Sequence, residues 1–174
     1  MSLICITGTP GVGKTTISGL LRERGFSVVS VNEIAEREGL FLGRDPLRGY
    51  LEVDIEGLCR SVERYLTGKA VLEGHLSHFC RKCDAVIVLR LDPEVLRERL
   101  LMRGYPEDKV QENLEAEALD VCTVEAHEIH GERVREVDTT GKTPEEVADI
   151  IMDILDGDEG YAPGDVDFSD WLMG

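Results

Sequence analysis

The chain has 174 residues, 42% hydrophobic and 31% charged, with 35 acidic against 19 basic side chains and a formal net charge of −16. That length suits one domain, and the balance is that of a folded globular protein, not a disordered one. The negative field disfavours DNA, other nucleic-acid backbones and anionic membrane surfaces as partners; without a basic leader or a membrane-length apolar run, the expected location is cytoplasmic.

In chain order, residues 3–7 are a short apolar run expected as a strand, and residues 8–13 a glycine-rich turn. Residues 14–24 carry Ile17, Leu20 and Leu21 at helical spacing, with Gly25 as the stop. Residues 26–31 give a second strand. From about 32 to 66 the pattern is mostly helical, but Gly39, Gly43, Pro46 and Gly49 predict a loop in its middle. Residues 70–73 are a short third strand. Residues 84–91, enclosing Ala85-Val86-Ile87-Val88-Leu89, read as a parallel strand buried on both faces.

Asp92-Pro93 opens a helix as N-cap and first helical residue, and Gly104 stops it. A single further helix is expected from about Pro106 towards Gly131, followed by a short strand over 134–137. Thr143-Pro144-Glu145-Glu146 forms a capping box, and Val147, Ile150, Ile151 and Ile154 mark the buried side of the last helix. Strands alternating with helices imply an α/β fold, a parallel sheet covered on both faces. Residues 156–174 differ: six acids, no bases, four glycines and the only tryptophan, Trp171. They are expected as an acidic, flexible tail, and an acidic and aromatic segment can dock either onto a basic partner or back onto the domain.

The strongest signal is Gly8-Thr9-Pro10-Gly11-Val12-Gly13-Lys14-Thr15, which matches G-x-x-x-x-G-K-[ST] between a strand and a helix. Gly11 and Gly13 let the main chain approach a phosphate closely, and the amides point inward at the positive end of the helix that follows. Lys14 is expected to bridge the β- and γ-phosphates of ATP, Thr15 to ligate magnesium, and Thr16 to face the α-phosphate. A dinucleotide pattern fits worse, because these glycines fall as G-x-x-G-x-G and leave Lys14 without a purpose.

Two further groups are candidates for acting on the phosphate. Glu73 and His75, two apart at the end of the third strand, should share a face at the ligand-binding edge of the sheet. Glu73 could hold a magnesium-bound water and His75 could orient a water or touch the γ-phosphate; the bland alternative is a solvated carboxylate and a surface histidine. Arg97, Arg99 and Arg103 surround the helix end before Gly104, with Arg99 and Arg103 on one face. They either stabilise transferring charge or pair with Glu94, Glu98 or Glu107 on a solvated face.

Residues 8–16, Glu73-Gly74-His75 and Arg103-Gly104-Tyr105 with the helix after it resemble the small adenylate kinase family related to nuclear adenylate kinase isoenzyme six, over nearly all of residues 3–155. The resemblance implies a P-loop nucleoside monophosphate kinase fold with a five-stranded parallel sheet, an AMP-binding insert at about 30–53 and a lid at about 102–112. It implies ATP contacts from Gly11, Gly13, Lys14, Thr15 and Thr16, and a lid arginine at Arg103. Its members also serve in maturation of the small ribosomal subunit, which would make a platform ribosomal protein a partner. One departure stands out: the family commonly has aspartate before x-His, whereas Glu73 reaches one methylene further. The cations available for AMP in the insert are Arg37, Arg44 and Arg48.

His75-x-x-His78-x-Cys80-x-x-Cys83 has donors that zinc accepts, but with five cysteines, an odd number, and no leader, reduced thiols packed beside the sheet are the preferred reading and zinc is not expected. The leading expectation is an ATP–AMP phosphotransferase using magnesium, with slow ATP hydrolysis when no acceptor is bound; its rival is an ATP-switched assembly factor that binds a ribosomal protein. A small-metabolite kinase of the shikimate type would want an acidic pair where Ser30-Val31-Asn32-Glu33 stands, and a GTPase would want an Asn-Lys-x-Asp motif that does not occur.

Overall fold

The computed structural model describes residues 2–44, 46, 51–80 and 83–174. Five parallel strands form one sheet in the order β2-β5-β1-β6-β7: β1 (Ser2–Thr7), β2 (Ser27–Ser30), β5 (Lys69–Glu73), β6 (Ala85–Arg90) and β7 (Val134–Asp138). β1 lies at the centre, where Ile4 faces Val71 on one side and Ala85 on the other. The chain runs outward first to β2 and β5, then crosses β1 to β6 and β7, so the strand order reverses around β1. In such sheets the ligand crevice opens beyond the carboxyl ends of the strands at that reversal, and the glycine-rich turn leaves β1 there.

Alternation along the central strands builds the two faces of the core. Ile4, Ile6, Ile87 and Leu89 join Ile17 and Leu21 of α1 (Lys14–Glu23), Leu96 and Leu100 of α4 (Pro93–Met102), and Val147 and Ile151 of α7 (Pro144–Leu155). Leu3, Cys5, Val86 and Val88 join Ile34 of α2 (Val31–Arg37), Leu58 and Val62 of α3 (Ile55–Val62), and Ala126 of α6 (Val121–His130). The helix starts follow local chemistry. Asp92 accepts from the Glu94 amide at 2.8 Å, and Thr143 and Glu146 close the capping box reciprocally at 3.1 and 3.4 Å. Among the described residues no helix is long and apolar enough to cross a membrane.

Four expectations need correction. The middle of residues 32–66 is a two-stranded antiparallel hairpin, β3 (Phe41–Arg44) with β4 (Leu51–Val53), whose register shifts at Gly43. The single helix expected after Pro106 is two, α5 (Glu107–Ala118) and α6, separated by Asp120, whose φ of 58° lies in the left-handed region. Cysteines expected as reduced thiols are paired, Cys5 with Cys83 and Cys59 with Cys80, because β1 runs beside the segment entering β6 and α3 packs on the loop after β5; Cys122 stays free. Residues 156–174, expected to be flexible, run back over the domain. There Tyr161 O accepts from the Glu136 amide at 2.8 Å, and Trp171 Nε1 donates to Glu94 Oε1 at 2.7 Å.

Candidate active site

Lys14 begins α1 but its side chain turns back into the loop before it. The ammonium donates to Gly8 O at 2.8 Å and Thr9 O at 3.0 Å and is only 8% exposed. Burial pulls its pKa from the ordinary 10.5 down to about 8. The N-cap, Gly13, offers no side chain and the first turn of α1 carries no acid, so nothing of the helix competes with an anion at its positive end. Gly11 adopts φ +96°, and a Cβ there would stand 2.9 Å from both Leu96 Cδ1 and Leu100 Cδ2. The loop is therefore seated on α4, and only glycine allows that approach.

α4 also supplies charge. Arg99 Nη1 donates to Gly11 O and Val12 O, each at 3.3 Å, from above the loop. Arg103 caps the end of α4, exposed, and its charge acts on Lys14. Arg97 does not join them: it turns to Glu94, 3.6 Å away on the solvated face. Position on the helix separates the arginines, with the 99 and 103 positions on the loop side and 97 off it.

Glu73 ends β5 in register with Ile6, half-buried. Burial raises its pKa, the Glu33 charge adds to that, and Lys14 opposes it. His75 does not share the strand face with Glu73 as expected, because β5 stops at Glu73 and Gly74 turns the chain at φ +145°. The turn still carries His75 into the field of Lys14. Burial first, and then Lys14, lowers its pKa to about 4, so at neutral pH it offers an uncharged imidazole. Gly74 packs so tightly that a Cβ would lie 2.1 Å from Val31 Cγ2. Gly74→Ala is accordingly expected to displace Val31 or the Glu73–His75 turn and to lower the melting temperature by roughly 6–12 °C, on the order of 3 kcal/mol; thermal unfolding checks it.

The histidine–cysteine pattern is dispersed. His78 Nδ1 lies 2.7 Å from Thr7 Oγ1 and its Nε2 lies 3.1 Å from Glu125 Oε1, while Cys80 and Cys83 bond to different cysteines. No group of three or more potential ligands converges among the described residues. The hard oxygens of Thr15, exposed on the first turn of α1, and of Glu73 fit a magnesium ion.

In the insert region Arg37 lies over the Tyr65 ring at 5.4 Å, Arg44 ends β3, and Arg48 lies outside the described residues. Two insert-facing cations escaped the sequence reading. Arg60 and Arg64, one helical turn apart around the end of α3, line a cavity of about 340 Å³ with Leu40, Asp54 and Ser61. Their four-residue spacing was the available signal. Equally unread were Thr9, whose carbonyl holds Lys14, and Thr7, which adjoins His78.

The Lys14 environment gives a pH profile. Only the protonated amine can meet a triphosphate, and it loses its proton as pH rises through about 8. With ATP, the triphosphate that the sequence leads us to expect, kcat/KM should thus fall about tenfold per unit above that pH. Lys14→Arg should move the descending limb out of range, since a guanidinium does not titrate there. No inflection from His75 is expected between pH 5 and 8.

Comparison with known proteins agrees with this frame. The family described as an AAA domain matches residues 4–120. A protein of Methanothermobacter thermautotrophicus named "Putative adenylate kinase" is 67% identical over 172 residues, covering 99% of this chain and 100% of the relative. Proteins of the same name from Thermococcus onnurineus and Archaeoglobus fulgidus are 46% and 44% identical, covering 97% and 98% of this chain and 92% of each relative. Among solved structures, shikimate kinase from Acinetobacter baumannii in complex with shikimate superposes with a TM-score of 0.64 at 15% identity, over 89% of this chain and 93% of that one. Shikimate kinase from Bacteroides thetaiotaomicron gives 0.59 at 17%, over 89% and 98%. Likeness at that identity establishes a shared P-loop kinase fold and no more. Identity across essentially the whole of both chains goes further: this chain belongs to the archaeal-type adenylate kinase family.

Proposed function

We propose that the chain transfers the γ-phosphoryl group of magnesium-bound ATP to AMP. The observation that carries this reading is the Lys14 ammonium held inside the loop by Gly8 O and Thr9 O, with Arg99 resting on the same loop and Arg103 acting on Lys14 from the end of α4. Phosphoryl transfer needs little covalent help from the protein, so positioning and charge neutralisation carry most of the rate. Lys14 leaves its two carbonyls for the β- and γ-phosphates. Arg99 and Arg103 neutralise charge spread over the transferring group, and His75, uncharged, donates or accepts a hydrogen bond beside it. The AMP phosphate is already an ionised nucleophile and needs no general base. Magnesium, held by Thr15 and, through water, by Glu73, would neutralise charge on the β- and γ-phosphates when bound.

AMP enters on the side of the α2–α3 insert, where Arg37, Arg44, Arg48, Arg60 and Arg64 supply the cations, and the α4–α5 connection closes as a lid to exclude water. Without an acceptor, water takes the phosphoryl group slowly. The location proposed for the chain is the cytoplasm. A coupled assay is expected to yield ADP from ATP plus AMP well above the ATP-alone rate; equal rates would overturn transfer to AMP. The ATP-switched assembly reading has one supporting observation, the net charge of −16, which suits a basic ribosomal protein. Capture of such a protein that depends on ATP tests it.

A further inference from the structure

A concentration of buried charge lies behind the phosphate loop, at the carboxyl end of β6. Arg90, 1% exposed, donates from Nε to Glu117 Oε1, from Nη1 to Glu136 Oε2, and from Nη2 to Glu117 O at 2.7 Å and Asp120 Oδ1 at 2.6 Å. Glu117 and Glu136 are 2% and 1% exposed. One guanidinium thus meets three carboxylates, an arrangement that stability alone does not favour over apolar packing.

The C-terminal segment covers the outer side of this cluster. Glu136 Oε1 accepts from the Gly164 amide, and the Phe168 ring lies 5.4 Å from Arg90 Cζ. Trp171 then ties the segment to Glu94 in the first turn of α4, and the final turn packs beside α5. Among the described residues, the two non-glycines with left-handed backbone are Asp120 (φ 58°) and Tyr161 (φ 64°). Both sit in this assembly, one on each side of it. Backbone held in that region persists only where its surroundings fix it.

The inner side meets the loop. The glycine loop backs onto this end of β6, where a Cβ on Gly8 would stand 2.7 Å from the carbonyl oxygen of Leu89, the neighbour of Arg90. Burial raises the pKa of both Glu117 and Cys122, and the nearby Thr9 side chain opposes the rise in each. Glu117 Oε2 nevertheless closes no full hydrogen bond among the described residues, which leaves slack for a small loop movement to take up. The carbonyl of the same Thr9 holds Lys14. Beside Cys122, Thr123 Oγ1 donates to Glu136 Oε2 at 3.0 Å. Two routes therefore connect the tail with Lys14, one through Phe168, Arg90, Glu117 and Thr9, the other through Gly164, Glu136 and the Cys122–Thr123 pair to Thr9.

We propose that Arg90 and Glu117 are positioning residues for the phosphate loop and that residues 156–174 are the strap that completes them, so that docking of Phe168 and binding of a nucleoside triphosphate at Lys14 favour each other. The inference rests on the loop's being a triphosphate site. It is reciprocal by necessity: the strap must tighten on the body by the same factor by which it tightens the nucleotide. Trp171, the only tryptophan, reports the strap alone.

The test uses the full chain and the magnesium complex of a non-hydrolysable ATP analogue, followed by calorimetry and by acrylamide quenching of Trp171. Saturation with the analogue is expected to lower the quenching constant at least twofold. Phe168→Ala should weaken the analogue five- to tenfold and Phe168→Tyr by less than twofold, because the ring is what Arg90 meets. Glu117→Gln should bind more weakly and lose the quenching response. In turnover, Phe168→Ala should raise KM for ATP while KM for AMP stays within twofold. Normal binding of the analogue to the wild type, with unchanged quenching and with Phe168→Ala binding equally well, overturns the proposal even if that variant melts lower. No binding to the wild type overturns the triphosphate site itself, and this inference with it, so the two failures are distinguishable.

Discussion

Replacing Lys14 with alanine is expected to lower kcat for phosphoryl transfer by about a thousandfold or more, roughly 4 kcal/mol of lost transition-state stabilisation. The size follows from position. The ammonium is buried and pre-placed by Gly8 O and Thr9 O, so in the proposed reaction no reorganisation is needed as charge develops. In a water-poor site each such contact is worth more than on the surface. Arg99 cannot take its place, because it reaches the loop from α4 at Gly11 O and Val12 O, while Lys14 occupies Gly8 O and Thr9 O. The fold should tolerate the change: truncation removes a buried charge whose burial is unfavourable enough to pull its pKa to about 8. The assay is ADP production from ATP and AMP beside a melting curve. Turnover within tenfold of wild type in a normally melting variant would show that the chemistry lies elsewhere.

What the sequence made legible is what is decided within a few residues. The phosphate loop is local as a motif: strand, glycines, lysine and helix follow one another without interruption. The same holds for the Asp92 cap and the Thr143–Glu146 box. Legibility fails where a long-range contact decides. Nothing in Ala118-Leu119-Asp120-Val121 breaks a helix by propensity; the break depends on Asp120 meeting Arg90, 30 residues away in sequence. Arg90 itself reads as the polar end of an apolar strand, and its three carboxylates come from α5, the α5–α6 junction and β7. The tail's composition says solvated, yet Gly164 and Trp171 find Glu136 and Glu94. His75 comes near Lys14 by a turn at Gly74 and not by strand alternation, because β5 ends at Glu73 and Gly74 packs directly against Val31. The hairpin escaped because its strands are short and shift register at Gly43.

Arg90→Leu is the substitution expected to cost the fold most, about 3–5 kcal/mol, or roughly 6–20 °C in melting temperature for a chain of this size. Leucine fills much of the space, so the loss comes from the partners left behind: Glu117 and Glu136, almost wholly buried, keep their desolvation and lose their counter-ion. The pH dependence separates this from a packing defect. Burial already raises the pKa of Glu117 with Arg90 in place; without the guanidinium it must rise further. A carboxyl whose folded pKa lies above its unfolded value binds more protons in the folded state, so its presence destabilises most at high pH and the deficit shrinks as pH falls through the folded pKa. Denaturant unfolding at pH 8 and pH 5 should therefore show the gap between wild type and Arg90→Leu narrowing towards acid. Adding Glu117→Gln and Glu136→Gln should narrow it at pH 8 as well, since two stranded charges are gone. A gap of equal size at both pH values, unchanged by the glutamines, would mean that shape and not charge makes Arg90 matter, and that the three carboxylates escape to water when it is removed.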